Sequence, residues 1–149
     1  MTLTKFSDYS LRLLIYLGLH DDRLVSVGEI SRAYQVSPHI MVKVVQRLTD
    51  LDLIVSVRGR KGGLRLNKPP GEINVGRLVR RTEPGWDLVE CFDAASNTCP
   101  IDGVCGLKGA LKRAQRAFLG VLDEHTLSDF LPRAPALIRL LNQSLEAHP

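Results

Sequence analysis

The apolar positions along this chain change period twice. From residue 4 to 20, TKFSDYSLRLLIYLGLH, the residues Phe6, Leu13, Leu14 and Leu17 recur at helical spacing and predict an opening helix. Asp8 and Arg12 lie four apart on it, within reach of each other across one turn. The polar run Asp21-Asp22-Arg23 breaks the pattern. Ser26-Val27-Gly28-Glu29 reads as a capping box, with Ser26 as N-cap and Glu29 reaching back. It starts a short helix, Val27 to Ala33, that turns Ile30 and Ala33 inward. Tyr34-Gln35-Val36 is the turn, and Ser37-Pro38 starts the next helix with an N-cap and a proline at the first helical position. That helix presents Ile40, Val44, Val45, Leu48 and Leu51 to a core and leaves His39, Lys43, Gln46 and Arg47 on another face. Two helices joined by so short a turn predict a helix-turn-helix, whose second helix reads base edges with its N-terminal residues.

The period then falls from 3.6 to 2. Leu53 to Arg58 is β-branched and alternating, Leu64-Arg65-Leu66 alternates again, and Gly59-Arg60-Lys61-Gly62-Gly63 lies between them. This is a β-hairpin with a glycine-rich basic tip. Five Lys/Arg and no acid lie between Arg58 and Lys68. A hairpin of that charge directly after a helix-turn-helix is the wing of a winged helix, with Arg58, Arg60 and Lys61 aimed at phosphates or the minor groove. Pro69-Pro70-Gly71 closes the wing and predicts a boundary between a DNA-binding unit, 1–70, and a second unit, 71–149.

Residues 74–83 read as a connecting helix, and Trp86 as a packing anchor beyond it. After Cys105 the helical period returns at greater length. Leu107, Leu111, Ala114, Phe118, Val121 and His125 are spaced four, three, four, three, four. That is the rhythm of a seam between helices, and the natural partner for a rod of roughly 30 Å is the same helix of a second copy. Residues 127–131 end the rod, and a last helix, Ala136 to Leu145, offers Leu137, Leu140 and Leu141 to brace the dimer. The predicted fold is mainly α with a small β-hairpin: a winged helix-turn-helix plus a long dimerisation helix.

Composition narrows the function. The chain has 149 residues, 44% of them hydrophobic, enough to bury a core. Its net charge of +4 is uneven. Residues 1–70 hold eleven Lys/Arg against six Asp/Glu, a net of +5, while residues 71–149 hold nine against ten, a net of −1. The basic part fits a polyanion such as double-stranded DNA. No apolar run of about 18 residues predicts a membrane span, and the polar start MTLTKFSDYS does not read as a signal peptide. The expected location is the reducing cytoplasm, where thiols remain free. His20, His125 and His148 stand isolated, and no nucleophile is paired with a base, so no enzyme is expected.

All three cysteines, Cys91, Cys99 and Cys105, fall in the loop CFDAASNTCPIDGVC, with seven and five residues between them. A disulfide framework wants an even count and an export signal. Structural zinc draws its sulfurs from closer pairs. Three unrelated buried thiols are the plain alternative. An iron–sulfur cluster is held mainly by thiolates, and wide gaps in a flexible loop suit a group larger than one ion. Such a cluster commonly takes four protein ligands, and three cysteines leave the fourth open.

The order of helix, helix-turn-helix, basic wing, three-cysteine loop and long helix resembles the family of iron–sulfur winged-helix repressors that includes the nitric-oxide sensor NsrR and the cluster sensor IscR. MTLTKFSDYSLRLLIYL, EISRAYQVSPHIMVKVVQRLTDLDLI, VRGRKGGLRL and the cysteines carry the likeness, over roughly residues 1–145. The cysteine spacing is similar to that of the nitric-oxide sensors. The IscR type adds a histidine three residues after the third cysteine, where this chain has Lys108. The resemblance implies a homodimer that represses nitric-oxide detoxification genes from a palindromic operator and releases it when nitric oxide attacks its cluster. It implies Cys91, Cys99 and Cys105 as ligands of a 4Fe–4S cluster (a 2Fe–2S cluster being the alternative), with Asp8 of the partner subunit as the fourth. It places Ser26, Ser37, Pro38, His39, Lys43, Arg47, Arg58, Arg60 and Lys61 at the DNA, and Leu107, Leu111, Ala114, Phe118 and Val121 in the dimer seam. A regulator sensing cluster supply or redox state is the second reading. An iron–sulfur carrier or electron-transfer module is the third, which the basic wing argues against, and a zinc-stabilised regulator the fourth.

Overall fold

In a computed structural model, which describes residues 2–59 and 61–147, the fold is mainly α with one β-hairpin, as the periodicity predicts. The elements run α1 (Lys5–Leu19), α2 (Val27–Tyr34), α3 (Pro38–Asp50), β1 (Ile54–Val57), β2 (Gly63–Leu66), α4 (Val75–Thr82), α5 (Gly106–Asp123) and α6 (Ala134–Ala147). Single 3-10 turns at Pro70–Glu72, Glu90–Phe92, Asp102–Val104 and Leu127–Phe130 link them. Arg60 and His148 lie outside the described residues.

The core forms where the apolar faces of α1, α2 and α3 meet the hairpin. Leu13, Leu14 and Leu17 of α1, Ile30 and Ala33 of α2, and Val44, Leu48 and Leu51 of α3 and its C-cap are buried together. Tyr16 is fully buried beside them, and Phe6 packs at the edge. On α3 the inward residue is Met41 and not the predicted Ile40, which is 40% exposed. One position on a helix is a rotation of about 100°, and Met41 lies closer than Ile40 to the line of Val44 and Leu48.

Helix starts follow the sequence with two corrections. Ser26 Oγ accepts from the Glu29 backbone N–H at 3.1 Å, but the Glu29 carboxylate does not return to Ser26. It is taken by Tyr16 and Arg23 instead. Ser37 caps α3 by position without a side-chain hydrogen bond, and Pro38 holds the first turn as expected. Between the helices Gln35 takes the left-handed conformation, φ 54°, which turns the chain sharply into α3.

β1 and β2 pair antiparallel, Ile54 with Leu66 through Val57 with Gly63. The tip depends on glycine at two positions. Gly59 has φ +116°, and a Cβ on Gly62 would stand 2.2 Å from the Val57 carbonyl oxygen. The hairpin is also tied to the head by Val25, which exchanges two backbone hydrogen bonds of 3.0 and 2.8 Å with Leu64.

Packing runs on past residue 70. Ile73, Leu78 and Leu127 belong to the same core as α1 to α3. Residues 73–75 pair with 125–127 through Val75 N–H to His125 O at 3.0 Å and Leu127 N–H to Ile73 O at 2.9 Å. The buried hydroxyls of Ser7 and Thr82 lie 2.7 Å apart and join α1 to α4. The long helix is also shorter than its pattern. α5 stops at Asp123, and His125 stands beyond it, next to Leu127 of the main core. α6 packs on α2 of its own chain, with Leu141 and Leu145 against the core and Leu140 left 63% exposed.

Candidate functional site

The described residues expected at DNA are exposed on the head. Ser37, Pro38, His39 and Lys43 are all exposed at the start of α3, where a reading helix meets base edges. Arg58 and Lys61 are exposed on the wing. Ser26 is exposed at the start of α2, its hydroxyl committed to the cap. Arg47 is exposed too, but its Nη2 donates to the Arg81 carbonyl at 2.8 Å, which leans it toward the end of α4.

The cysteine loop has a geometry of its own. Cys91 sits in the 3-10 turn after Val89, Cys99 follows an Asn97 side chain that accepts its backbone N–H at 3.0 Å, and Cys105 is the N-cap of α5. All three thiols are free, half-buried and on the wall of one cleft of about 200 Å³. Val89, Ile101, Leu107 and Leu111 supply its apolar sides, and Glu90 and Lys108 its rim. The Lys108 ammonium bonds Asp102, which raises its pKa, and negative charge at Cys91 and Cys99 would add to the rise. Spacing pointed to the thiols; it did not reveal that Val89, Ile101 and the first two turns of α5, with Leu107, Lys108 and Leu111, close around them.

Among the described residues no three His, Cys, Asp or Glu side chains close around a single metal ion. A cluster asks for something else: several thiolates spread around a body larger than an ion, in an apolar surround. Three thiols on one apolar wall fit that donor set. The N-terminus of α5 adds a partial positive charge where a thiolate-ligated cluster would carry negative charge. Asp8 is not part of this cleft. Its carboxylate meets Arg12 at 2.8 Å within α1, and the Arg12 guanidinium lies 5.8 Å from the ring centres of both Tyr9 and Tyr34.

α5 carries the residues assigned to the seam. None of its side chains is buried within the chain; Leu107 is 65% and Val121 54% exposed, Ala114 is exposed, and Leu111 and Phe118 are half-buried. Phe118 packs near Trp86, ring centres 6.5 Å apart, and Gln115 donates to the Trp86 carbonyl, so Trp86 anchors the chain to α5. No helix among the described residues is long and apolar enough to cross a membrane.

Comparison with known proteins fits this arrangement. A family described as "Rrf2: Iron-dependent Transcriptional regulator" matches residues 3–133. The HTH-type transcriptional regulator NsrR of Halalkalibacterium halodurans is 46% identical over 95% of this chain and 97% of its own length. NsrR of Bacillus subtilis is 43% identical over the same shares. The solved structure of IscR from T. potens, at 23% identity, has the same fold, with a TM-score of 0.72 over 90% of this chain and 88% of that one. The two NsrR relatives are named as transcriptional regulators, a non-enzymatic class, as expected from the sequence. With a family match across most of its length and relatives above two-fifths identical, the chain belongs to the Rrf2 family of iron-dependent transcriptional regulators.

Proposed function

We propose that this regulator is a nitric-oxide-responsive iron–sulfur repressor that binds a palindromic operator as a homodimer. The observation that carries the reading is the convergence of Cys91, Cys99 and Cys105 on one apolar cleft at the N-terminus of α5, in a chain whose other end is a basic winged head. In this proposal residues 1–70 read DNA and residues 71–149 hold the cluster and pair the copies.

The three cysteines would hold a 4Fe–4S cluster, with Asp8 of the partner subunit as the fourth ligand. When bound, the cluster supplies iron open to attack by nitric oxide. A carboxylate is a harder and weaker partner for such iron than a thiolate, so Asp8 would be the most labile of the four ligands. Within the chain, Lys108 and the start of α5 would offset negative charge at the cleft, and its apolar wall would lower the local dielectric. Leu107, Leu111, Ala114, Phe118 and Val121 join the two copies of α5. Ser37, Pro38, His39 and Lys43 meet base edges; Ser26, Arg47, Arg58, Arg60 and Lys61 meet the backbone or minor groove. Two heads fixed at one spacing match two half-sites. An α1 no longer held by the other copy through Asp8 leaves that spacing unset, and repression of nitric-oxide detoxification genes is lifted.

The test is the absorbance spectrum of anaerobically purified protein, before and after stoichiometric nitric oxide, with operator retardation measured on the same samples. The expected result is a brown protein with one broad visible band that bleaches with nitric oxide as retardation is lost. A redder, multi-banded spectrum that answers to reductant instead would transfer the reading to redox or cluster-supply sensing. A colourless protein containing zinc would end the iron–sulfur reading.

A further inference from the structure

Met41, Val44 and Leu48 complete the buried side of α3. The opposite stripe, at spacings of three, one and three, is His39, Val42, Lys43 and Gln46, and all four side chains are exposed. Three of them are polar or basic, as a helix that reads DNA requires. Val42 is 53% exposed at the centre of the stripe. Nothing in the chain rewards it there: a β-branched side chain loses rotamer freedom in a helix, and an apolar one gains nothing from water.

The surface around Val42 limits what can cover it. α3 carries no acid before Asp50, Lys43 is its neighbour, and residues 1–70 have a net charge of +5 from eleven Lys/Arg and six Asp/Glu. Such a surface fits a polyanion. Among groups exposed in the major groove of duplex DNA, the thymine C5-methyl is the apolar one, and aliphatic side chains contact it. We infer that Val42 is a specificity-determining residue that packs on a thymine methyl in each operator half-site. This rests on the proposed role of α3 as the reading helix and adds to it one base that the operator must hold. His39, Lys43 and Gln46 can hydrogen-bond several base edges, whereas Val42 distinguishes thymine by shape and apolarity alone.

The experiment replaces thymine by deoxyuridine, which removes the methyl and keeps the base pair. The purified holo-protein is titrated by fluorescence anisotropy against its own promoter operator, with each thymine of the half-sites changed in turn. One thymine per half-site is expected to matter. Its replacement weakens binding roughly fourfold when one half-site is changed and roughly fifteenfold when both are, the worth of one methyl per contact. Val42→Ala, an exposed change to a better helix former, folds normally and loses that sensitivity while binding the all-thymine operator more weakly. If no deoxyuridine matters while the operator is still preferred over random DNA, α3 reading stands and the Val42 contact is overturned. The contact is overturned as well if Val42→Ala keeps the same sensitive position, or if Val42→Ala sediments as a monomer, which would put Val42 between copies. Failure to prefer the operator at all would overturn the proposed function, and the contact with it.

Discussion

The fully buried Tyr16 of α1 donates a 2.8 Å hydrogen bond to Glu29 in the first turn of α2, and Arg23 donates to the same carboxylate from the intervening loop. Glu29 thus locks α1 to the helix-turn-helix from a position where sequence alone suggests only a cap. Arg23 chiefly, and then Tyr16, hold its carboxyl below the usual glutamate range. Burial first, and then Glu29, push the Tyr16 hydroxyl far above its own.

Glu29→Gln should therefore destabilise the head by about 1–2 kcal/mol at neutral pH, less than a fully buried charged hydrogen bond because Arg23 is half-exposed. The folded pKa is depressed, so the carboxylate's contribution is present above the unfolded value and lost as pH falls through the folded one. Thermal melts of wild type and Glu29→Gln should stand apart at neutral pH and converge below about pH 4. A gap that stays constant into acid would mean that packing, and not charge, holds this corner.

Lys61→Ala should weaken operator binding and lower the slope of log affinity against log salt by roughly one per protomer. Arg60→Ala is expected to do the same. Anisotropy titrations at four or five salt concentrations measure this directly. An unchanged slope would take the wing tip off the DNA backbone.

Cys99→Ala should give protein without visible colour whose operator binding falls to that of random DNA, while helicity by circular dichroism is retained. Cys99 is half-buried in an irregular loop away from the main core, so the fold has little to lose. Tight operator binding by the colourless variant would separate the cleft from the control of DNA binding.

Val121→Glu places a charge at a position 54% exposed on α5. In a single chain it costs little. In a seam between two copies it buries an unpaired carboxylate on each side, and the dimer should dissociate. Sedimentation velocity should show a monomer, with operator affinity down at least tenfold; a dimer of undiminished affinity would move the seam elsewhere.

The elements with strong periods were legible in the chain, because each sits in a single core that rewards one face. α1, α2, α3 and the hairpin fall within a residue or two of their predicted ends. What escaped has a physical cause in each case. Ile40 and Met41 are adjacent apolar residues at the margin of one face, and a pattern cannot rank them. Glu29 satisfied a local capping signal, while its true partner lies 13 residues upstream. Val25 pairs with Leu64 as a lone bridge, too short to alternate. Pro69-Pro70-Gly71 read as a boundary, but a turn signal carries no information on whether packing continues beyond it, and Ile73, Leu78 and Leu127 join the same core. The cysteines were legible as a group, whereas the apolar wall of their cleft combines Val89 and Ile101, from stretches that have no period, with Leu107 and Leu111, whose period pointed to a helix seam and not to the cleft.

Gly76 sits where α4 meets the last turn of α5. It is buried in α4, and a Cβ there would stand 2.1 Å from Asp123 Oδ1 and 2.9 Å from the Asp123 backbone nitrogen, at the last turn of α5. Arg80, one turn on from Gly76, pairs with the same carboxylate, its Nη2 at 2.7 Å from Oδ2. α4 in turn is fixed to α1 by the Thr82–Ser7 hydroxyl pair. A side chain at 76 cannot be accommodated by rotating Asp123 alone, because the backbone nitrogen is also too close. α5 must shift, at a cost of about 1–3 kcal/mol for overpacking. Gly76→Ala should melt several degrees lower. If α5 sets the spacing of the two heads, it should also bind the operator more weakly than the stability loss alone explains, since the folded protein would hold its heads at the wrong distance. Gly109→Ala, at an exposed position of α5, meets only the Arg113 guanidinium at 3.9 Å and should melt at or above wild type. A Gly76→Ala protein that melts lower yet binds the operator with full affinity when folded would show that the α4–α5 contact supports the fold without setting the distance between reading heads.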